Sequence, residues 1–251
     1  MLIFVVSHDD ASEAIAALEI SKQKSTDNGI RFEHLRVSDT SPLFETQAFA
    51  LIANRAQTFM DENYVGVITY SFFEKTKLKV NLEDELARAE STNADVVGLM
   101  NLSFFKSRKR TPVTFIESVG FQHGTYAWMS MQAILNALGY KNDQIVEAGG
   151  SAVPFMCNWW FARPSWMLRY ALFVEKCIVF AAASESVQQY LSHDAYYMGS
   201  PKGLSTERLQ AIFKKDRYDL TPFVFERMPP MFFALEGARV VRGSLNVPWL
   251  L

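Results

Sequence analysis

An α/β protein with a mostly parallel central sheet flanked by helices is predicted by three observations. Short, partly β-branched apolar runs recur along the N-terminal half, stretches of helical periodicity separate them, and polar turns close the runs. In such sheets ligands gather at the carboxyl ends of the strands, so those turns are where a site is expected.

Leu2 to Val6 is a continuous apolar run, the pattern of a strand buried on both faces. The turn Ser7-His-Asp-Asp10 follows, and Ala11 to Lys22 then alternates as a helix, with Asp10 and Glu13 spaced as in a capping arrangement. Arg31 to Val37 reads as a second short strand, and Ala48, Ile52, Ala56 and Phe59 share one face of a helical pattern over Leu43–Asp61. Val65 to Tyr70 is strand-like, Glu83 to Glu90 helical, and Asp95 to Met100 a further apolar strand. The polar turns Ser7–Asp10, Tyr70–Lys75 and Asn101–Lys106 therefore fall at strand ends.

The C-terminal half is less regular. It predicts a helix over Ala127–Leu138 stopped by Gly139, and another over Pro164–Phe180 with its proline in the first turn. Gly149-Gly150 and Gly199-Ser-Pro-Lys-Gly203 read as loops. No repeat or low-complexity linker divides the chain. One domain over 1–251 is expected, its nucleotide-binding half ending at about residue 110 and its acceptor half filling 111–251.

Hydrophobic residues make up 49% of the sequence, enough for a sizeable core and against disorder. The formal net charge of −2 lacks the basic excess of a general nucleic-acid binder. Cys157 and Cys177 are too few for a disulfide framework, which favours a reducing compartment. Met1–Val6 is too short for a secretory signal, and Arg169, Glu175 and Lys176 interrupt the run Trp166–Ala183, so no membrane span is expected.

The segment Phe223-Val-Phe-Glu-Arg-Met-Pro-Pro-Met-Phe-Phe233 sets Glu226 and Arg227 among aromatic and apolar residues, where charge is costly unless paired or used. Glu226 is thus a candidate general base, or a structural partner of Arg227 or Arg163. Asn158-Trp159-Trp160 offers rings that stack on sugars beside an amide that bonds hydroxyls, and its plain alternative is core and interface packing. His193-Asp194 is a candidate acid–base pair or a surface turn. Ser7–Asp10 suits a base or ribose rather than a phosphate, or is ordinary capping. At the end of the Val65–Tyr70 strand, Glu74 is a candidate for a divalent ion or a sugar hydroxyl, with Tyr70 packing on the ligand, or pairs with Lys75 or Lys77. Glu83-Asp-Glu85 is a metal candidate or a helix start. Lys106, Arg108, Lys109 and Arg110 form a run able to neutralise a diphosphate, or a solvated loop. The four histidines have no metal-ligand spacing, and neither a phosphate-cradling glycine pattern nor a serine elbow occurs.

Taken together, Leu2-Ile-Phe-Val-Val-Ser-His8, Val65-Gly-Val-Ile-Thr-Tyr70, Asn158-Trp-Trp-Phe161 and Phe223-Val-Phe-Glu-Arg227 resemble small glycosyltransferases of the GT-A type, found in bacterial surface-polysaccharide clusters and in large algal DNA viruses. The segments are short but span most of the chain in the family's order. The resemblance implies a GT-A-like fold and transfer of a hexosyl or pentosyl group, with inversion, from a nucleotide-diphosphate sugar (UDP-sugars favoured) to a glycan hydroxyl. It implies a donor on Val6, Ser7, His8, Asp10, Tyr70, Ser71, Glu74 and Arg227, and an acceptor on Asn158, Trp159, Trp160 and His193, with Glu226 or Asp194 as the base. It implies a cytoplasmic setting, the host's if the protein is viral. The aspartate of a metal-binding DxD turn is missing from Tyr70-Ser-Phe-Phe-Glu74. Either Glu74 or another acid then holds a Mn or Mg ion, or the Lys106–Arg110 run offsets the leaving charge instead. The rival classes are a non-catalytic carbohydrate-binding or interaction module built on Trp159 and Trp160, and a different nucleotide-using α/β enzyme.

Overall fold

Leu2–Ser7, buried at every position, forms β1, around which the sheet is built. The structure is a computed structural model that describes residues 1–23, 29–76, 80–106, 111–112, 114–195 and 204–250. From β1, α1 (Asp10–Gln23) leads to β2 (Arg31–Arg36), parallel to β1 on one side. A 3-10 turn at Phe44–Thr46 and α2 (Gln47–Ala53) precede β3 (Val65–Thr69), parallel to β1 on the other side. Next come α3 (Phe72–Thr76), α4 (Leu82–Ser91), β4 (Val96–Lys106) and the short antiparallel β5 (Thr111–Pro112).

Three helices follow: α5 (Phe115–His123), α6 (Thr125–Ala137) and α7 (Asn142–Ser151). Then β6 (Trp160–Ala162) and α8 (Pro164–Ala183) lead to α9 (Glu185–Leu191), α10 (Thr206–Phe213), α11 (Thr221–Glu226), α12 (Met228–Leu235) and β7 (Val240–Leu250). The sheet runs β2-β1-β3-β6-β4-β5, with β7 parallel to β4. β6 runs antiparallel to both β3 and β4, so β1, β2, β3, β4 and β7 share one direction. The expected α/β architecture is the observed one.

Strand pleating divides the core. Leu2, Phe4, Val6, Val65, Val67 and Trp160 belong to one buried cluster, while Ile3, Val5, Ile68, Trp159 and Phe161 belong to the other. The first cluster lies under α2 and the helices from α5 to α12, the second under α1, α3 and α4.

Several local expectations need correction. Gly149-Gly150 is the last turn of α7 rather than a loop. A Cβ on Gly149 would lie 2.1 Å from Ile116 Cγ1, so the glycine serves close packing of α7 on α5. The Leu43–Asp61 pattern is broken at Asn54, whose amide donates to Ala50 O and competes with the helix. The helix expected over Ala127–Leu138 begins earlier, because Gly124 (φ 80) turns the chain between α5 and α6. At α1 the cap is Asp9: its Oδ1 accepts Ser12 N–H at 2.7 Å, while Ser12 Oγ accepts Asp9 N–H at 2.9 Å. Glu83-Asp-Glu85 opens α4 behind an Asn81 cap, and Glu85, fully buried, accepts Ser244 N–H at 2.7 Å. Gly199–Gly203 and the basic residues Arg108, Lys109 and Arg110 lie outside the described residues. Among the described residues no helix is long and apolar enough to cross a membrane.

Candidate active site

The strand directions decide where the site forms. The carboxyl ends of β1 and β3 carry His8 and Tyr70. Because β6 runs the other way, the residues just before it, Cys157, Asn158 and Trp159, arrive at that same edge. The segment after β2 adds Leu43–Thr46, and α11 adds Phe223 and Glu226. Together they line a cleft of about 280 Å³, with Lys75, Tyr218 and Leu204 also on its wall. Such an edge is where α/β proteins hold ligands.

Backbone strain gathers around this cleft. Phe44 (φ 45), Cys157 (φ 64) and Asn158 (φ 53) all occupy the left-handed region. Each such residue costs about 1–3 kcal/mol, which the surrounding contacts must offset. Asn158 is 3% exposed, its amide donates to Thr46 Oγ1 at 3.4 Å, and its Oδ1 has no partner among the described residues. An unpartnered buried acceptor facing a cleft is open to a ligand donor. His8 adds a buried ring nitrogen, Nδ1, without a hydrogen-bond partner among the described residues, while its ring packs edge-on to Tyr70 at 5.4 Å.

Glu226 is held from behind. Its Oε1 accepts Cys157 N–H at 2.8 Å and Arg227 Nη1 at 3.0 Å. Arg227, 3% exposed, also donates to Gln122 Oε1 at 2.9 Å and touches His123 Nε2 at 3.4 Å. His123 packs on Phe223 at 4.6 Å, and burial followed by the Arg227 charge pulls its pKa down to about 4. A neutral ring thus sits beside the guanidinium without adding charge. Burial, and then Glu226, push the Cys157 thiol up, so it is a protonated wall group rather than a nucleophile.

A second carboxyl, Glu45, was not singled out from the sequence. It keeps part of its surface open to the cleft, yet the packed walls desolvate it and raise its pKa. Its own backbone amide and the nearby His8 and Lys75 pull the other way, while Glu226 pushes with the desolvation. Burial and then Glu45 raise the Tyr70 phenol. The sequence signal that could have found Glu45 is its polar character between Leu43, Phe44 and the apolar face of α2.

Of the residues expected from the sequence, the structure brings together His8, Tyr70, Asn158, Trp159 and Glu226 on the cleft, with Arg227 bracing Glu226. Val6 is core, Ser7 is buried against His34 Nε2 at 2.7 Å, and Ser71 is buried against Thr69 Oγ1 at 3.2 Å. Asp10 points to solvent and pairs with Arg36 at 2.8 Å, so it is not a cleft residue. Glu74 is exposed and does not line the cleft. His193 and Asp194 also lie off it: His193 stacks on Tyr126 at 3.7 Å, and Asp194 bridges to Asp219. The tandem tryptophans form no surface. Successive strand residues face opposite ways, so Trp159 (2% exposed) borders the cleft while Trp160 (fully buried) stacks on Phe49 at 5.3 Å in the other cluster. Trp159 is pinned by Nε1–H donating to Thr69 Oγ1 at 3.0 Å, with Lys75 Nζ 5.8 Å from the centre of its ring.

Among the described residues no group of three or more His, Cys, Asp or Glu is arranged to hold an ion, and Glu74 stands apart from the cleft acids. Lys75 is the cation on the described cleft wall.

No family model matches the chain, and no curated protein matches it in sequence. A solved structure does: the apo structure of WbbM, a bifunctional glycosyltransferase, with a TM-score of 0.50 and 12% sequence identity over 96% of this chain and 44% of that one. The chain thus spans less than half the length of that protein, and at such identity the likeness is one of fold: this α/β architecture is shared with a bifunctional glycosyltransferase.

Proposed function

We propose that the cleft transfers a sugar from a nucleotide-diphosphate sugar, with UDP-sugars as the donor class, to a hydroxyl of a glycan. The observation that carries this is the setting of Glu226. Among the described residues both of its hydrogen bonds fall on Oε1, which leaves Oε2 for a ligand on the cleft wall. A carboxylate fixed in this way is suited to accept a proton from a hydroxyl brought beside it. The fold shared with a glycosyltransferase supports the same reading, as does a cleft at the carboxyl ends of β1 and β3.

On this proposal the reaction is a direct displacement with inversion in a GT-A-like site. The acceptor oxygen bonds to the anomeric carbon and passes its proton to Glu226, while the bond to the diphosphate breaks and its electron pair leaves with the phosphate oxygen. His8 and Tyr70 lie on the donor side, and Asn158 and the edge of Trp159 on the acceptor side. Lys75 offsets charge on the departing diphosphate, the need that otherwise falls to an ion. The test is incubation with a panel of UDP-, GDP- and TDP-sugars, followed by slow hydrolysis and thermal unfolding. A hydrolysed donor that also raises the melting temperature is expected, and Glu226→Gln should lower turnover by about 10²-fold or more while donor binding persists. An inert wild-type protein, with no shift for any nucleotide sugar, sinks the proposal.

A further inference from the structure

We propose that Glu45 is a catalytic residue of the same cleft, the proton donor to the departing diphosphate oxygen, paired with Glu226 as the proton acceptor. This rests on the transferase assignment above. Two carboxyls share one cleft, and their surroundings differ in kind. Glu226 is backed by a guanidinium and a backbone N–H. Glu45 makes no ion pair among the described residues, and its carboxyl, on the cleft wall, takes a hydrogen bond from its own backbone amide. It follows the left-handed Phe44, so the strained turn fixes where its side chain starts. It also precedes Thr46, whose hydroxyl takes the amide of Asn158, the buried residue with a vacant acceptor on the same wall.

The groups that face Glu45 come from every wall: His8 after β1, Tyr70 after β3, Lys75 on α3 and Glu226 on α11. Glu45 shares the cleft wall with His8 and Tyr70 at the strand ends, and Glu226 is tied to Cys157 and Arg227. Two neighbouring carboxyls do not both ionise freely; Glu226 is ion-paired to a buried guanidinium and Glu45 makes no ion pair among the described residues, while desolvation raises the Glu45 pKa in the direction that favours its protonated form. A neutral carboxyl is also the form that tolerates a diphosphate beside it. A carboxyl whose burial favours the protonated form is placed to act as acid, and one held by a guanidinium and a backbone N–H to act as base.

The step balances. The acceptor oxygen bonds to the anomeric carbon as its proton goes to Glu226. The carbon–oxygen bond to the diphosphate breaks, and that oxygen keeps the electron pair and takes the proton of Glu45. Solvent then returns Glu45 to its protonated form and removes the proton from Glu226.

The experiment compares wild type with Glu45→Gln and Glu45→Asp on two donor types: the UDP-sugars of the panel, and glycosyl fluorides of the same sugars, whose leaving group needs less help from a proton. Affinity for UDP is measured alongside by calorimetry. Expected are a loss of about 10²-fold in UDP-sugar turnover for Glu45→Gln, a much smaller loss on the fluoride, UDP affinity within about threefold of wild type, and disappearance of the alkaline limb of the wild-type pH profile. Glu45→Asp should retain that limb. Equal losses on both donors, or turnover within about threefold of wild type, overturn the role of Glu45 while leaving transfer intact. If Glu45→Gln does not fold, a wild-type profile that lacks an alkaline limb overturns it instead. A wild type inert toward every nucleotide sugar fails at the earlier step and takes this assignment with it.

Discussion

His123 should make the protein lose stability in mild acid. Its ring is 7% exposed, and burial plus the neighbouring Arg227 bring its pKa from 6.5 to about 4. As pH falls, the unfolded chain takes up the imidazole proton first, near 6.5, while the folded chain resists until about 4. The stabilising term is thus whole above 6.5, drains between 6.5 and about 4, and is gone below that. At about 1.36 kcal/mol per pH unit, the interval is worth up to about 3 kcal/mol, a large share of an ordinary domain's stability.

His123→Phe is the perturbation that isolates this term. The ring contact with Phe223 is preserved, and what is lost is a long contact to Ala195 O at 3.5 Å and one to Arg227 at 3.4 Å. Other groups titrate over the same range: Asp9 and Glu62 have lowered pKa values, Glu45 and Asp219 raised ones. They are common to both proteins and cancel in the difference. Urea unfolding followed by tryptophan fluorescence from about pH 8 to about pH 4 should show the wild type losing up to about 3 kcal/mol more than the variant. Two curves that stay parallel through that range would refute the idea that His123 is held neutral beside Arg227.

Arg227→Met leaves Glu226 without its buried cation and should cost about 3–5 kcal/mol, seen as a lower urea midpoint, with transfer abolished. Gly149→Ala gains about 1 kcal/mol of helix propensity but drives a methyl to 2.1 Å from Ile116 Cγ1, so a net loss of about 1–2 kcal/mol is expected, restored by Ile116→Ala in the same chain; a more stable single variant contradicts the packing. Asn158→Gly relaxes a left-handed residue worth about 1 kcal/mol while removing the bond to Thr46, so stability should hold within about 1 kcal/mol. Its affinity for a sugar ligand should fall, which a titration beside the melting curve would check.

The sheet was legible in the sequence where burial writes a simple pattern. Leu2–Val6 and Val65–Thr69 are apolar on both faces, and both are strands within a residue of the expected limits. Glycine misled where its use is packing rather than turning: Gly149 lies inside α7 because Ile116 fills the space a side chain would need. The strand β7 stayed hidden because Gly243, Asn246 and Pro248 interrupt its apolar pattern, and pairing along nearly the whole of β4 compensates for their poor propensity. Glu226 stood out by its charge in an aromatic segment. Glu45 did not, since its isolation depends on walls that come from His8, Tyr70, Lys75 and Glu226, all distant in sequence.

The direction of β6 accounts for why the candidate site could be sensed but not assembled from the sequence. A parallel strand at that position would have sent Cys157, Asn158 and Trp159 to the opposite edge, away from His8 and Tyr70. Running antiparallel between β3 and β4, β6 sets them at the carboxyl ends of its neighbours. There the backbone turns through two consecutive left-handed residues, which frees Cys157 N–H to reach Glu226 rather than a strand partner. That single hydrogen bond ties α11 to the sheet edge, so the strain at residues 157–158 and the placing of the Glu226 carboxylate are one feature. Strand direction and left-handed backbone are set by the fold as a whole, and neither leaves a signature in Cys157-Asn158-Trp159-Trp160 read alone.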